Sequence, residues 1–267
     1  MWEIFKAVIL GVVEGLTEFL PVSSTGHLIL VNQWLAFSKE FTVLFDVFIQ
    51  MGAILAVIIY FRKDIIPARP SMVMEKEFLG FWSKIMIAFL PAAFVGYFFA
   101  GFIEKTLFNT TVVSISLLAG GILLIILDRK KRTGNILSMD QMTYRIALFI
   151  GIFQCIAMVP GTSRSAATII GALVLGCSRK LAAEFSFYLA IPTILAASAY
   201  SLLKSQLIFS MRDLLILAIG FLVSFIVAVG VIRFLMNFIK KHSFVAFGYY
   251  RIALGILVLA WLYTSSL

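Results

Sequence analysis

The sequence predicts an all-α integral membrane protein with six transmembrane helices, built from two inverted-topology repeats that each combine a re-entrant helix pair with three spans. The first observation is composition. Of 267 residues, 62% are hydrophobic and 13% are charged, whereas a soluble domain has about 45–50% apolar and about 25% charged residues. The others are six long apolar segments and two apolar stretches that are each interrupted by a Pro/Gly/Ser turn.

The six apolar segments are long enough to cross a bilayer, which needs about 20 mostly apolar residues. They cover roughly residues 44–61, 81–101, 111–127, 185–203, 213–232 and 248–264. The interrupted stretches are 4–36, broken at "LPVSSTGH", and 143–177, broken at "VPGTSRS". Each half of these stretches is too short to span alone. We expect both to enter the membrane and return on the same side, as is tolerated where backbone is buried in protein or lines a wet cavity.

Similarity between the two halves of the chain predicts a duplication within a single membrane domain, with repeats at residues 1–133 and 140–267. A shift of 140 residues places Glu14 on Gln154, and with one gap "PVSS" at 21–24 falls on "PGTS" at 160–163. Each half has an odd number of crossings, so the second copy would be inverted, as in transporters whose discontinuous helices meet near the midplane. The tips of the two re-entrant pairs should then meet inside the membrane.

The formal net charge of +9 is interpreted as a topology signal. The basic residues flank apolar segments instead of forming a stripe, so no nucleic-acid partner is expected, and Lys and Arg accumulate on the cytoplasmic side. One side would hold Arg62, Lys63, Arg69, Lys76, Arg129, Lys130, Lys131, Arg132, Arg145, Arg179, Lys180, Lys240 and Lys241, and the other Lys6, Lys39, Lys105, Lys204 and Arg212. This bias predicts a cytoplasmic loop at 128–141 and both termini outside.

Two carboxylates lie in the first interrupted stretch. Glu14 and Glu18 are four residues apart, which places them on one helix face, where like charges repel. An ionised residue near the bilayer centre costs at least about 2.5–3.5 kcal/mol on insertion scales and is usually functional and paired. The pair indicates a nearby cation, a metal ion or a proton-transfer task. The structural alternative is two solvated carboxylates at a helix end.

The turn "PVSSTGH" follows these carboxylates. Ser23, Ser24 and Thr25 are good N-cap residues, and the helix N–H groups behind them can bind an anion. His27 lies three residues beyond Ser24, a spacing at which a helical turn brings an imidazole towards a hydroxyl. Such a pair can act as nucleophile and base. The alternative is a cap and a satisfied polar contact.

The second turn, "PGTSRSAAT" at 160–168, combines hydroxyl groups with one arginine. Its candidate substrate-binding residues are Gly161, Thr162, Ser163, Arg164, Ser165 and Thr168. Arginine presents a fork that matches phosphate oxygens, and the stretch lacks the lysine of a Walker loop. It therefore predicts a phosphate or diphosphate ligand, and a site at membrane depth suggests a substrate with a lipid tail. Alternatively, Arg164 only neutralises Glu14 or Glu18.

With both motifs in view, the sequence resembles the bacterial undecaprenyl-diphosphate phosphatases of the bacitracin-resistance type. The resemblance rests on "EGLTEFLPVSSTGH" at 14–27 and "PGTSRSAAT" at 160–168 and covers essentially the whole chain. It implies removal of the terminal phosphate of undecaprenyl diphosphate on the outer side of the bacterial cytoplasmic membrane, recycling the cell-wall carrier lipid. It also implies interlocked inverted repeats and allows a homodimer. The family's functional positions fall on Glu14, Glu18, Ser24, His27, Ser163, Arg164, Ser165 and Thr168.

The resemblance leaves the roles open. We expect Arg164 and the hydroxyl-rich turn to bind the diphosphate and stabilise developing negative charge, with Ser23, Thr25, Gly161 and Thr162 contributing to binding. Ser24 would attack the terminal phosphorus, activated by His27 or Glu18, or water would attack with Glu18 as base. Glu14 and Glu18 would either hold a divalent cation, magnesium or calcium, or steer protons. No organic cofactor is expected.

Three other classes of protein compete with this interpretation: transporters, a second phosphatase superfamily and scaffolds. A lipid-phosphate flippase or a proton-coupled transporter would share the inverted-repeat architecture. A second membrane phosphatase superfamily has related short motifs, but its second histidine has no counterpart near Arg164. A membrane scaffold would need neither motif. The remaining ionisable residues in or near the spans are interpreted as interhelical ion pairs or snorkelling side chains; they are Asp46, Glu184, Arg233 and Arg251.

Overall fold

The computed structural model describes residues 1–67, 75–129, 134–204 and 210–265. Within these ranges the regular structure is helical apart from one isolated β-bridge. The helices are α1 (Trp2–Thr17), α2 (Ser24–Leu35), α3 (Lys39–Tyr60), α4 (Arg62–Ile65), α5 (Lys76–Leu107), α6 (Thr110–Arg129), α7 (Tyr144–Cys155), a 3₁₀ turn (Ile156–Met158), α8 (Arg164–Val174), α9 (Arg179–Lys204), α10 (Met211–Phe238) and α11 (Val245–Ser265). Arg69, Lys130, Lys131 and Arg132, which entered the charge count, lie outside the described residues.

Six helices, α3, α5, α6, α9, α10 and α11, are long and apolar enough to cross a membrane. They coincide with the six predicted spans, and the all-helical, multi-pass prediction is confirmed. Each helix extends beyond its predicted segment at one end or both, because hydropathy marks only the apolar part, whereas the helical backbone continues into polar ends. The outer face of α5 is strongly apolar: Tyr97 is 73% exposed and Phe102 is 67% exposed, as suits a surface solvated by lipid.

The interrupted stretches form four shorter helices. Helices α1, α2, α7 and α8 contain 16, 12, 12 and 11 residues, so at 1.5 Å per residue even α1 is only about 24 Å long. The hydrocarbon core is about 30 Å thick, so none of the four spans it alone. We call the segment between α1 and α2 the first break (residues 18–23) and the segment before α8 the second break (residues 159–163).

The two halves keep a constant offset through these elements. Helices α2 and α8 begin at Ser24 and Arg164, and α3 and α9 begin at Lys39 and Arg179, so both pairs are 140 residues apart. The gap introduced to align "PVSS" with "PGTS" is therefore wrong. The N-cap residues of α2 and α8 are Ser23 and Ser163, which makes Ser23, and not Ser24, the counterpart of Ser163.

Helices from the two halves interlock. Helix α1 packs along α10 from the other half, and α7 correspondingly packs along α5. Contacts also join α3 to α9 and α6 to α11. This arrangement brings the ends of α1 and α7, and with them the two breaks, into the interior of the bundle.

Contacts at the helix ends agree with the expected grouping of the loops. Glu3 pairs with Arg212 at 2.7 Å, which places the start of α1 beside the start of α10. Asp128 pairs with Arg179 at 2.6 Å, which places the end of α6 beside the start of α9. The charge count placed the N-terminus and Arg212 on one side of the membrane, and the 128–141 loop and Arg179 on the other. The contacts agree with each of these two groupings, and the orientation stays a prediction.

Candidate active site

The first break carries the carboxylates to the interior. Helix α1 ends at Thr17, and the N–H of Glu18 still bonds to the carbonyl oxygen of Glu14 at 2.9 Å. The last turn therefore keeps Glu14 and Glu18 on one face, as predicted. Glu14 is fully buried and Glu18 is 8% exposed, so neither is a solvated helix-end carboxylate.

Two serines begin the helices that follow the breaks. Ser23 and Ser163 have φ of 74° and 73°, and in the described parts of the chain they are the only non-glycine residues with positive φ. Each side chain caps its helix by accepting a hydrogen bond at 3.2 Å, Ser23 from the N–H of Gly26 and Ser163 from that of Ala166. Backbone held in this region costs of order 1–3 kcal/mol and clusters at functional sites.

A chain of polar contacts links the first break to the start of α8. Ser24 Oγ donates a hydrogen bond to Glu18 Oε2, and Glu18 Oε1 accepts from Arg164 Nη2 at 3.0 Å. Arg164 Nη1 donates to the carbonyl oxygen of Ser186 at 2.7 Å. The structure thus brings together Ser24, Glu18 and Arg164, which come from both sequence motifs.

His27 has other partners than Ser24. Its Nδ1 lies 2.7 Å from the carbonyl oxygen of Ser23, and its Nε2 lies 2.7 Å from Tyr250 Oη. A carbonyl can only accept, so Nδ1 carries a proton, and in the neutral imidazole Nε2 then accepts from Tyr250. The expected contact between Ser24 and His27 is therefore wrong for this structure: Ser24 bonds to Glu18, and both His27 nitrogens are occupied.

The hydroxyl groups of the second motif bind protein atoms. Ser165 Oγ donates to the carbonyl oxygen of Leu20 at 2.9 Å, so a second contact joins the first break to the start of α8. Ser163 Oγ lies 3.0 Å from Ser165 Oγ and must donate to it, because the Ser165 proton is already used. Thr168 Oγ1 lies 2.8 Å from Ser186 Oγ. These residues support the geometry around Arg164.

The remaining predicted ligands differ in their positions. Gly161 has φ of 87°, and a Cβ there would lie 2.4 Å from the carbonyl oxygen of Val113, so only glycine fits. The carbonyl oxygens of Gly161 and Thr162 both accept hydrogen bonds from Arg251. Thr25 is partly buried in the first turn of α2.

Glu14 has a carboxylate that could bind a cation. Both of its carboxylate oxygens are buried and have no hydrogen-bond partner among the described residues. Glu18 is less suitable, because Ser24 and Arg164 already occupy its oxygens. The described residues contain no group of three or more His, Cys, Asp or Glu side chains that could hold a metal ion. A cation at Glu14 would take its other ligands from water or substrate, as Mg²⁺ commonly does.

The arrangement can carry out phosphoryl transfer. A hydroxyl next to a carboxylate is a nucleophile next to a base. The guanidinium of Arg164 can bind phosphate oxygens, and the N-terminal ends of α2 and α8 add N–H donors and positive dipole ends. These donors meet within a bundle of apolar helices, where their interaction with negative charge is weakly screened.

Comparison with known proteins supports this assignment. The family model of the bacitracin resistance protein BacA matches residues 7–257. The chain belongs to the BacA family. Similar BacA-type relatives include undecaprenyl-diphosphatase 1 of Clostridioides difficile, 50% identical over 98% of this chain and 97% of the relative, and the undecaprenyl-diphosphatase of Ectopseudomonas mendocina, 48% identical over 97% and 94%. The enzyme of that name from Enterococcus faecalis is 46% identical over 96% of both chains.

Three residues of this BacA-family site were missed from the sequence. Ser186 supports Arg164, Tyr250 bonds to His27, and Arg251 bonds to both breaks. The interpretation of Arg251 as an interhelical ion pair or a snorkelling side chain is wrong, because it is fully buried and donates to backbone carbonyls. All three are polar residues inside predicted spans, and this position could have marked them as candidates. The sequence does not show which residues they contact.

Proposed function

We propose that this chain is an undecaprenyl-diphosphatase, which hydrolyses undecaprenyl diphosphate to undecaprenyl phosphate and inorganic phosphate. Relatives that carry this name are 46–50% identical over nearly their full length. The observation that carries the proposal is the Ser24–Glu18–Arg164 chain, which joins a candidate nucleophile, a base and a phosphate-binding cation from the two motifs. Membership of the BacA family further links the chain to bacitracin resistance and cell-wall synthesis.

The geometry favours a mechanism through Ser24. The guanidinium of Arg164 and the N-terminal N–H groups of α8 bind the diphosphate oxygens. Glu18 accepts the Ser24 proton as Oγ forms a bond to the terminal phosphorus, and the bond from that phosphorus to the bridging oxygen breaks, releasing undecaprenyl phosphate. Water then cleaves the phosphoserine to release inorganic phosphate. In the alternative route, water attacks directly with Glu18 as its base.

Membrane architecture forms part of the same proposal. One membrane domain would contain two inverted repeats, residues 1–133 and 140–267, with α1–α2 and α7–α8 as re-entrant pairs. The short lengths of these helices and the reciprocal packing of α1 on α10 and α7 on α5 support this. In the cytoplasmic membrane of a bacterium, loop 128–141 would be cytoplasmic, and the termini and the mouth of the site would be outside.

A divalent cation and a homodimer stay predictions. The unpartnered carboxylate of Glu14 fits magnesium or calcium, which would neutralise diphosphate charge when bound. Size measurement in detergent by light scattering tests the dimer.

Phosphate release by purified protein in detergent tests the function, because transport produces no signal there. The substrate is a long-chain prenyl diphosphate, and the variant is Arg164→Ala. Arg233→Ala is the matched control, since Arg233 is an exposed arginine on α10. We expect release from wild type and control but not from Arg164→Ala, and loss with a chelator if a cation binds. Folded wild type that releases no phosphate with cations supplied would contradict hydrolysis and favour transport.

A further inference from the structure

Arg251 on α11 has an unusual set of partners. Its side chain is fully buried, and all five of its N–H groups donate to backbone carbonyl oxygens. The acceptors are Leu117 at 3.4 Å from Nε, Pro21 at 3.2 Å and Thr162 at 2.9 Å from Nη1, and Ser116 and Gly161 at 3.0 Å from Nη2. An arginine has five such donors in a rigid fork, so its donor capacity is fully used.

Both breaks are bound by the same guanidinium. Pro21 belongs to the first break, and Gly161 and Thr162 belong to the second. A single nitrogen, Nη1, donates to Pro21 and to Thr162. The relative position of the breaks is therefore linked to the position of one side chain. Irregular backbone inside a membrane protein needs such internal partners, because lipid supplies none.

Helix α6 holds the guanidinium in place and has a glycine at the point of contact. Ser116 and Leu117 accept the remaining hydrogen bonds. A Cβ at Gly120 would lie 2.2 Å from Arg251 Nη2. At the neighbouring position, a Cβ on Gly121 would lie 2.7 Å from the carbonyl oxygen of Gly248, so small residues also let α11 approach α6. Gly120 is therefore the position from which the guanidinium can be displaced without removing it.

Burial of a cation at membrane depth is costly, and here every acceptor is a carbonyl oxygen. We propose that Arg251 is a positioning residue, which fixes the first break relative to the second and thereby aligns Ser24 and Glu18 with Arg164. This inference rests on the proposed function, because the aligned groups are those of the proposed phosphoryl transfer. Arg251 itself does not touch the reacting atoms.

Two variants disturb the hydrogen bonds of the Arg251 guanidinium in different ways. Arg251→Lys keeps the charge but offers three donors from one nitrogen, which cannot reach carbonyls on three segments at once. Gly120→Ala keeps the arginine and pushes its guanidinium away from the α6 carbonyls. Gly230→Ala is the matched control, because a Cβ on that exposed helical glycine meets nothing within 4 Å.

Phosphate-release kinetics are measured together with hydrogen–deuterium exchange of peptides covering residues 18–27 and 159–168. Small misplacements of reacting groups can cost about 100-fold in rate, so we expect kcat to fall by about 100-fold in Arg251→Lys and about tenfold in Gly120→Ala, with KM changed by less than about threefold. Exchange should rise in both breaks together and stay unchanged elsewhere, and Gly230→Ala should match wild type.

Unchanged kcat and unchanged exchange at both breaks in Arg251→Lys would overturn the positioning role. So would a general rise in exchange throughout the chain in both test variants, which would indicate a structural role only. The exchange measurement needs no turnover. If wild type released no phosphate, the proposed function would fail, but exchange would still report whether Arg251 holds the two breaks together.

Discussion

Glu18 Oε1 lies 3.0 Å from Arg164 Nη2, so an ion pair joins the first break to the start of α8 across 146 residues of sequence. The other Glu18 oxygen accepts the proton of Ser24 Oγ. One carboxylate is therefore held between a cation and a hydroxyl. Neutralisation of Glu18 and binding of phosphate are not competing explanations of Arg164, because the same contact would place the proposed base beside the proposed phosphate-binding group.

The first prediction concerns this carboxylate. Glu18→Gln keeps the shape of the side chain but removes the base and the charge, and general-base catalysis typically contributes 10²–10⁴-fold in rate. We expect kcat for phosphate release to fall by at least about 100-fold. Glu184→Gln is the control, since that carboxylate pairs with Lys180 at 3.6 Å near the beginning of α9. Equal activity in the two variants would contradict the role of Glu18.

The second prediction separates two adjacent serines. Ser24→Ala removes the hydroxyl that bonds to Glu18, whereas Ser23→Ala removes a helix cap. We expect Ser24→Ala to lose turnover and to form no phosphoserine in rapid-quench mass spectrometry. Ser23→Ala should lower the melting temperature, since a cap is worth about 1 kcal/mol, and should still form phosphoserine. Near-normal turnover of Ser24→Ala would instead support direct attack by water.

The third prediction concerns Tyr250. Its hydroxyl bonds to His27 Nε2, and the two rings stack with centroids 5.7 Å apart. Loss of one hydrogen bond is worth about 0.5–1.5 kcal/mol, so Tyr250→Phe should lower kcat by about threefold to tenfold. Tyr249→Phe is the neighbouring control, because Tyr249 bonds to Arg129 at the end of α6. If His27 were the base for Ser24, freeing its Nε2 would leave turnover unchanged or raise it.

The spans and the two breaks were predictable because their signals are local. A run of about 20 apolar residues and a Pro/Gly/Ser interruption are properties of a short segment. The gathering of Glu18 and Arg164 was also expected, because inverted repeats bring equivalent tips together. Hydropathy alone could not set the helix ends, since polar terminal residues continue the helical backbone.

The partners within the site were harder to predict. The spacing of Ser24 and His27 suggested a pair, but the turn at residues 18–23 brings the Glu18 carboxylate to Ser24, and a carboxylate is the stronger acceptor. His27 is bound by Tyr250 from 223 residues away. Arg251 could not be distinguished from other arginines in or near the spans, because every residue has a backbone carbonyl and the sequence does not show which ones accept its hydrogen bonds. Such contacts depend on how α11 packs against α6.

The last prediction concerns stability at the end of the bundle opposite Glu3. Asp128 is 5% exposed, and its two carboxylate oxygens accept from Arg179 Nε at 2.6 Å and from the N–H of Phe244. It therefore joins the end of α6 to the beginnings of α9 and α11. In Asp128→Asn one of these donors must face an amide NH₂, so we expect a loss of about 1–3 kcal/mol, the usual cost of an unsatisfied buried group.

Thermal unfolding in detergent measures this effect, with Asp140→Asn as control, because Asp140 is exposed in the loop before α7. We expect a lower melting temperature only for Asp128→Asn. Its kcat per folded molecule should equal that of wild type well below the transition, since Asp128 is bonded to the helix ends and not to Ser24, Glu18 or Arg164. Equal melting temperatures of the two variants would mean that the bundle end is held by other contacts.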